Sequence, residues 1–115
     1  MKAIMETIDR MAVVVLPREP VVDWVNDADP DHPIWLEDIS WRGNVYLIPT
    51  FESIEEAEDH VESMFDEIFC NELAGWIEDE KKWPAERTYD MFTEWFDVIY
   101  DVVVFDTLKG TIKKG

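Results

Sequence analysis

Carboxylates spaced for one side of a helix are the most distinctive chemical feature of this chain. Four acidic residues recur at intervals of four, three and four: Glu55, Asp59, Glu62 and Asp66. In a helix, side chains at this spacing stack on one side. No Lys or Arg occurs from residue 44 to residue 80, whereas an ordinary solvated helix interleaves the two signs. We predict that this surface binds a basic protein. The alternative interpretation is a solvated face that serves solubility alone.

A second group combines tryptophans with one carboxylate and one guanidinium. Its members are Glu72, Trp76, Trp83, Arg87 and Trp95. Ligand pockets are mostly apolar with a few polar groups, so a small-molecule-binding domain or enzyme is the alternative function. Aromatic residues at helical spacing more often form a core, however. A lone arginine more often forms an ion pair, here with Glu72 or Asp97, that locks the neighbouring turn.

Residues of catalytic and metal-binding types occur without the partners that their chemistry needs. The segment 27–31 has aspartates at alternate positions, as a calcium loop does, but His32 replaces the glycine of the sharp turn and prolines interrupt the loop. His32 and His60 have no neighbour at zinc-ligand spacing, and Cys70 has no identifiable base. We therefore predict no catalytic residue, no bound metal and no cofactor.

The charge balance restricts the class of partner. The 115 residues include 27 acidic and 10 basic ones, with a formal net charge of −17. Such a chain repels nucleic acid and anionic membranes, so we expect direct binding to neither. The sequence has no apolar run of the length that a membrane helix needs. A single cysteine fits a reducing compartment, and we expect a cytoplasmic protein.

Hydrophobic patterning predicts the order β-α-β-α-α-β. Apolar runs predict strands at 11–17, 45–48 and 102–105. Three helices are expected: a short one from Pro20, a long one after Ser53, and one after Thr88 that continues through Phe96. A single helical turn is expected at 36–39. The fold class is therefore α+β, a two-layer domain with a small sheet of three strands, or four if a further segment joins it, and helices on one face.

The predicted strands are apolar at nearly every position, which is typical of a sheet covered on both faces. Three helices cover one face, so we predict a homodimer in which a second subunit covers the other. Alternatively, the first ten residues or the segment 35–41 cover it. The predicted domain spans 11–108, between an N-terminal extension at 1–10 and a basic, flexible tail at 109–115.

Three segments together resemble a family of small acidic bacterial proteins of unknown function. They are VYLIP at 45–49, IFxNELxGW at 68–76 and WPxxRTxxMFxxWFD at 83–97. The resemblance covers roughly Met11 to Leu108 and implies a bacterial cytoplasmic origin and an α+β fold. It implies no activity. The sequence as a whole predicts a non-enzymatic interaction or regulatory protein that binds a basic partner through residues 52–72.

Overall fold

The structure of this chain, a computed structural model, describes residues 5–115. Within them, the strands are β1 (Glu6–Thr7), β2 (Met11–Pro17), β3 (Asn44–Ile48), β4 (Phe96–Asp101) and β5 (Phe105–Asp106). The α-helices are α1 (Glu19–Ala28), α2 (Leu36–Ile39), α3 (Ile54–Ser63), α4 (Phe65–Trp76) and α5 (Tyr89–Trp95), and a 3₁₀ turn spans Glu80–Lys82. These elements confirm the predicted α+β class. Residues 1–4 of the predicted extension lie outside the described part, and Glu6–Thr7 of that extension forms a strand.

β2 is the central strand of an antiparallel sheet in the order β3-β2-β4. Val13 lies opposite Tyr46 on one side and Tyr100 on the other. β1 and β5 form a separate two-stranded sheet. The main sheet is therefore three-stranded, and the predicted fourth strand does not join it.

The helices pack on one face of the main sheet. Met11, Val13 and Val15 point to this covered face and are buried against residues of α1, α3 and α4. An aromatic cluster completes the core, in which Phe69 and Phe96 meet edge to face with ring centroids 5.6 Å apart. Such a pair adds about 0.5–1.5 kcal/mol to the free energy of area burial.

The predicted strand at 102–105 is wrong. The strand is β4, which begins at Phe96, and only Phe105 and Asp106 of the later run pair, in β5. Phe96, Val98 and Tyr100 alternate toward the covered face, whereas Asp97 and Ile99 point away from it. This period of two is that of a strand. The helix α5 therefore ends at Trp95, before Phe96, rather than continuing through Phe96.

The predicted long helix after Ser53 is two helices. Met64 leaves the helical conformation (φ −126°, ψ 16°) and separates α3 from α4. The break lets Val61 of α3 and Phe69 of α4 point into the same core. Asp66 therefore lies on a different helix from Glu55, Asp59 and Glu62.

The second face of the main sheet is not covered within the described residues. Val45 and Leu47 of β3 are 61% and 47% exposed, and Ile99 of β4 is 46% exposed. Because these three side chains are exposed, neither residues 5–10 nor the segment 35–41 covers the outer strands of this face. The predicted second subunit stays a prediction.

Candidate functional site

The exposed side of α3 is a surface of carboxylates. Ala57 and Val61 are buried, so the opposite side of the helix points into solvent. The exposed acidic residues are Glu55, Glu56, Glu58, Asp59 and Glu62. The Ser53 hydroxyl accepts a hydrogen bond from the amide of Glu56 at 3.2 Å, which fixes where the helix begins. Within residues 5–115 none of these carboxylates forms a salt bridge.

A groove of about 240 Å³ lies beside this surface. Its lining residues come from α3, α5 and β4 and are Glu58, Tyr89, Thr93, Phe96, Asp97, Val98 and Tyr100. Tyr89 is the first residue of α5, where the Thr88 hydroxyl caps the helix by accepting from the amide of Met91 at 3.1 Å. Tyr100 points to the covered face of β4. We call this arrangement, with Glu58, Asp59 and Glu62, the acidic tyrosine groove.

The electrostatics of the acidic tyrosine groove are strongly negative. Burial raises the pKa of Tyr89, and the carboxylates of Glu62, Glu58 and Asp59 raise it further. Burial, with smaller contributions from Tyr89 and Glu58, raises the pKa of Tyr100 to about 12. Both tyrosines therefore stay neutral at physiological pH and offer electron-rich ring faces among carboxylates. A cation–π contact to such a ring contributes about 0.5–1 kcal/mol at an exposed site.

Asp66, the fourth member of the predicted row, has a different environment. Arg87 Nε donates to its Oδ1 at 2.7 Å, and this hydrogen bond holds the pKa of Asp66 below its ordinary value. Arg87 also donates to the carbonyl of Pro84 at 2.9 Å. Arg87 thus locks the turn that precedes α5, as predicted, but its partner is Asp66 rather than Glu72 or Asp97.

A pocket of about 450 Å³ forms on another side of the molecule, where α4 meets the start of β3. It is lined by Trp41, Arg42, Gly43, Asn44, Glu72, Gly75 and Trp76. The Arg42 guanidinium lies 5.8 Å from the ring centroid of Trp76. Of the residues predicted to line a pocket, Glu72 and Trp76 therefore lie together.

Glu72 is the buried charge of this pocket, with only 4% of its surface exposed. Its Oε2 accepts from Asn44 Nδ2 at 2.8 Å and from the hydroxyl of Tyr46, which itself accepts from Asn71 at 2.8 Å. No donor contacts Oε1 among the described residues. Burial and the bond to Glu72 raise the pKa of Tyr46. Two donors therefore compensate Oε2 of Glu72 for lost water, and the residue lines the pocket.

The remaining predicted pocket residues lie elsewhere. Trp83 Nε1 donates to the carbonyl of Ile77 at 2.7 Å, which ties down the loop after α4. Trp95 packs in the core, with its ring centroid 5.5 Å from that of Phe69 and 6.0 Å from that of Trp24. Arg87 lies with Asp66, as described above. Trp83, Arg87 and Trp95 therefore serve the fold rather than the Glu72 pocket.

Sequence reasoning missed Asn44 and Tyr46 at Glu72, and Tyr89 and Tyr100 beside α3. A signal for the first pair was present: Glu72 is the one charged residue within the apolar stripe of Phe69, Leu73 and Trp76. A carboxylate so placed needs buried donors, and the alternate polar residues of β3 supply them. No comparable signal joined Tyr89 to Tyr100, because their juxtaposition depends on where β4 begins.

The histidines and the cysteine have local roles. His32 pairs with Asp29 at 3.1 Å, and His60 packs on Phe51 with centroids 5.3 Å apart. Burial raises the pKa of the half-buried Cys70 thiol, which disfavours the nucleophilic thiolate. In the described part of the chain, no three His, Cys, Asp or Glu side chains converge as metal ligands.

Comparisons with family models, curated proteins and solved structures find no match to this chain. The resemblance to small acidic bacterial proteins therefore stays a prediction. Across residues 5–115, each helix is too short or too polar to cross a bilayer.

Proposed function

We propose that this protein is a non-enzymatic interaction or regulatory protein that binds a basic segment of a partner protein in the acidic tyrosine groove. The observation that carries the proposal is the position of Glu58, Asp59 and Glu62 around Tyr89, close enough for all three carboxylates to raise its pKa. Lys or Arg side chains of the partner bind both to the tyrosine rings and to the carboxylates. The ring faces form cation–π contacts, and the carboxylates form ion pairs. We further propose that it acts in the cytoplasm, which the single free cysteine fits.

Local charge distinguishes this groove from the rest of the acidic surface. One cation lies at the groove: Arg18 Nε is 3.7 Å from Asp97, and Arg18 Nη1 donates to the carbonyl of Thr93 at 3.4 Å. Both side chains of that pair are well exposed, so the pair contributes little and exchanges readily. An incoming basic segment therefore meets uncompensated carboxylates on α3 and one weakly held carboxylate on β4.

The test uses a fluorescent peptide of alternating lysine and arginine as the probe. The groove variant combines Glu58→Gln, Asp59→Asn and Glu62→Gln. The matched control combines Asp27→Asn, Asp31→Asn and Glu37→Gln, which changes the net charge equally at residues outside the groove. We expect the groove variant to bind about tenfold more weakly, since each lost exposed ion pair removes about 0.2–1 kcal/mol. The control variant should bind like the unmodified protein. Equal losses in both variants would show that only total charge matters.

A second candidate function is the binding of a small molecule in the Glu72 pocket. The observation in its favour is the free Oε1 of a buried carboxylate beside Arg42 and Trp76. This set suits a compact zwitterion, with an ammonium at Glu72 and a carboxylate at Arg42. A thermal-shift screen of amino acids, amines and guanidines tests it, since a ligand at 100 times its Kd adds about 2.7 kcal/mol. A ligand that also stabilises Glu72→Gln equally would argue against this site.

A further inference from the structure

The uncovered face of the main sheet is apolar on β3 and β2 and carries both Ile99 and two aspartates on β4. Its residues are Ala12, Val14, Leu16, Val45, Leu47, Asp97, Ile99 and Asp101. The three exposed aliphatic side chains on the outer strands flank the aliphatic row of β2. Asp97 and Asp101 form a row of carboxylates along β4. We call this surface the open sheet face. Contiguous apolar surface of this kind marks an interaction site.

Two segments, before β2 and after β4, form an arm that projects past β3. We define the arm as residues 5–10 and 102–115. It continues the ladder of β2 and β4: Ile8 donates its amide to the carbonyl of Val104 at 2.9 Å, and Thr7 lies opposite Phe105. Four residues separate Thr7 from Ala12 but only three separate Asp101 from Phe105, so the ladder contains a bulge at its base. With the arm, the molecule is 56 Å long but only 28 Å and 25 Å across.

The arm, which has only 20 residues, exposes six large apolar side chains, as many as the whole of residues 11–101. They are Met5, Val102, Val103, Phe105, Leu108 and Ile112, each more than half exposed. An isolated two-stranded ribbon is marginally stable in water. The arm therefore needs a surface on which to pack, and within its own chain these six side chains stay more than half exposed. Leu47 of the open sheet face lines a groove with Ile8 and Ile112, so the two apolar surfaces are continuous.

The charge of the arm indicates what it binds. The arm carries four basic and three acidic residues, whereas residues 11–101 carry five basic and 24 acidic ones. Residues 11–101 of two copies repel each other because both are strongly acidic. The arm is the part of one copy that the acidic residues 11–101 of another copy attract. The basic side chains of the arm are Arg10, Lys109, Lys113 and Lys114. The aspartates on the open sheet face are complementary to them.

We infer that two copies of this chain exchange arms, each arm lying on the open sheet face of the other copy. This symmetric exchange covers both apolar surfaces of each copy and pairs each basic arm with an acidic body. It goes beyond the proposed binding of a basic partner and leaves α3 free, since α3 packs on the covered side of the sheet. Asp97 lines the acidic tyrosine groove and also lies on the open sheet face, so the two surfaces meet at this residue.

The area of the contact sets its strength. Three strands spaced about 4.8 Å apart and five residues long present a face on the order of 250 Å². Two arms on two faces then bury on the order of 1,000 Å² in total, which is at the lower end for specific interfaces. The dimer is therefore expected to be concentration-dependent rather than permanent.

Sedimentation at physiological ionic strength across a wide concentration range tests the inference. The unmodified protein should move from the 13.6 kDa of one chain toward twice that mass. Leu47→Lys on the face and Phe105→Glu on the arm should each weaken dimerisation on the order of tenfold or more, because each places a charge in an apolar contact. Ile54→Ser, which removes an exposed aliphatic side chain from α3, is the matched control and should dimerise normally. Circular dichroism confirms that each variant is folded, and Val45→Lys replaces Leu47→Lys if that one is not.

Mixing the two variants separates arm exchange from direct packing of face on face. In the mixture the intact arm of Leu47→Lys meets the intact face of Phe105→Glu, so the mixture should associate more strongly than either variant alone. A monomer at all concentrations would overturn the inference. So would normal dimerisation of Phe105→Glu or of the face variant, or a mixture no stronger than its components.

Discussion

The hydroxyl of Tyr46 on β3 donates a hydrogen bond to the buried carboxylate of Glu72 on α4. This bond joins the outer strand of the sheet to the helix that covers it. Asn44 on the same strand donates to the same oxygen. A buried carboxylate is costly unless donors compensate for lost water, so β3 and α4 depend on each other for their positions.

Tyr46→Phe should therefore destabilise the fold. Hydrogen bonds to charged groups contribute about 1.5–3 kcal/mol, and we expect a loss of that size in the free energy of unfolding. Tyr100→Phe is the matched control, because the Tyr100 ring is half-buried but its hydroxyl makes no hydrogen bond with the described residues. It should cost less than about 0.5 kcal/mol. Urea denaturation measures both, and equal losses would show that the Tyr46–Glu72 bond is not structural.

Two glycines should respond oppositely to replacement by alanine. A Cβ on Gly43 would lie 2.5 Å from Leu16 Cδ2 and 3.0 Å from the Val15 carbonyl oxygen, whereas a Cβ on Gly75 in α4 meets nothing within 4 Å. Overpacking makes Gly43→Ala destabilising by about 1–3 kcal/mol. Gly75→Ala should stabilise by about 0.5–1 kcal/mol, because alanine favours the helix. Thermal melts of the two variants check the signs, and a neutral Gly43→Ala would contradict the close approach of β3 to Leu16.

The Asp66–Arg87 pair should contribute stability that depends on pH. Since the pKa of Asp66 is lowered in the folded state, its contribution is present above the ordinary carboxyl pKa of about 3.9 and is lost as the pH falls through the lowered value. Asp66 is half exposed, so Asp66→Asn should cost only about 0.5–1 kcal/mol at neutral pH and nothing at about pH 2. The control is Glu78→Gln, because Glu78 is exposed and forms no salt bridge in the described structure. It removes one negative charge, as Asp66→Asn does, without breaking an ion pair. A pH-independent difference would contradict the pair.

The tyrosines should resist ionisation in the folded protein. The chain has three, and the pKa of each is raised, with burial as the largest cause. A raised folded pKa gives stability that is present below the unfolded value of about 10 and lost as the pH rises above it. The tyrosinate absorbance should therefore stay low at pH 10 in buffer and be half-developed at pH 10 in denaturant. Equal titration curves in the two solvents would contradict the burial of these rings.

Local signals predicted much of the fold. The caps at Ser53 and Thr88 depend on residues within three positions, and both form their expected hydrogen bonds. β2 has the predicted bounds because Pro17 closes an uninterrupted apolar run. The helical turn at Leu36–Ile39 is also confirmed.

Long-range pairing accounts for what sequence reasoning missed. The run at 102–105 has a stronger strand composition than Phe96–Asp101, yet β4 is the segment that lies opposite β2. The break at Met64 and the pairing of Asp66 with Arg87 likewise depend on tertiary packing. The acidic tyrosine groove forms from three elements whose contact no local pattern encodes.

The most direct test of the proposed function is an NMR titration of isotope-labelled protein with the peptide of alternating lysine and arginine. If the peptide binds in the acidic tyrosine groove, the backbone amides of residues 55–62 and 89–100 should show saturable shifts, with the largest beside Tyr89 and little change in residues 19–39. Shifts spread evenly over every acidic segment, including 27–37, would contradict a specific site and would leave the carboxylates of α3 as a solvated surface.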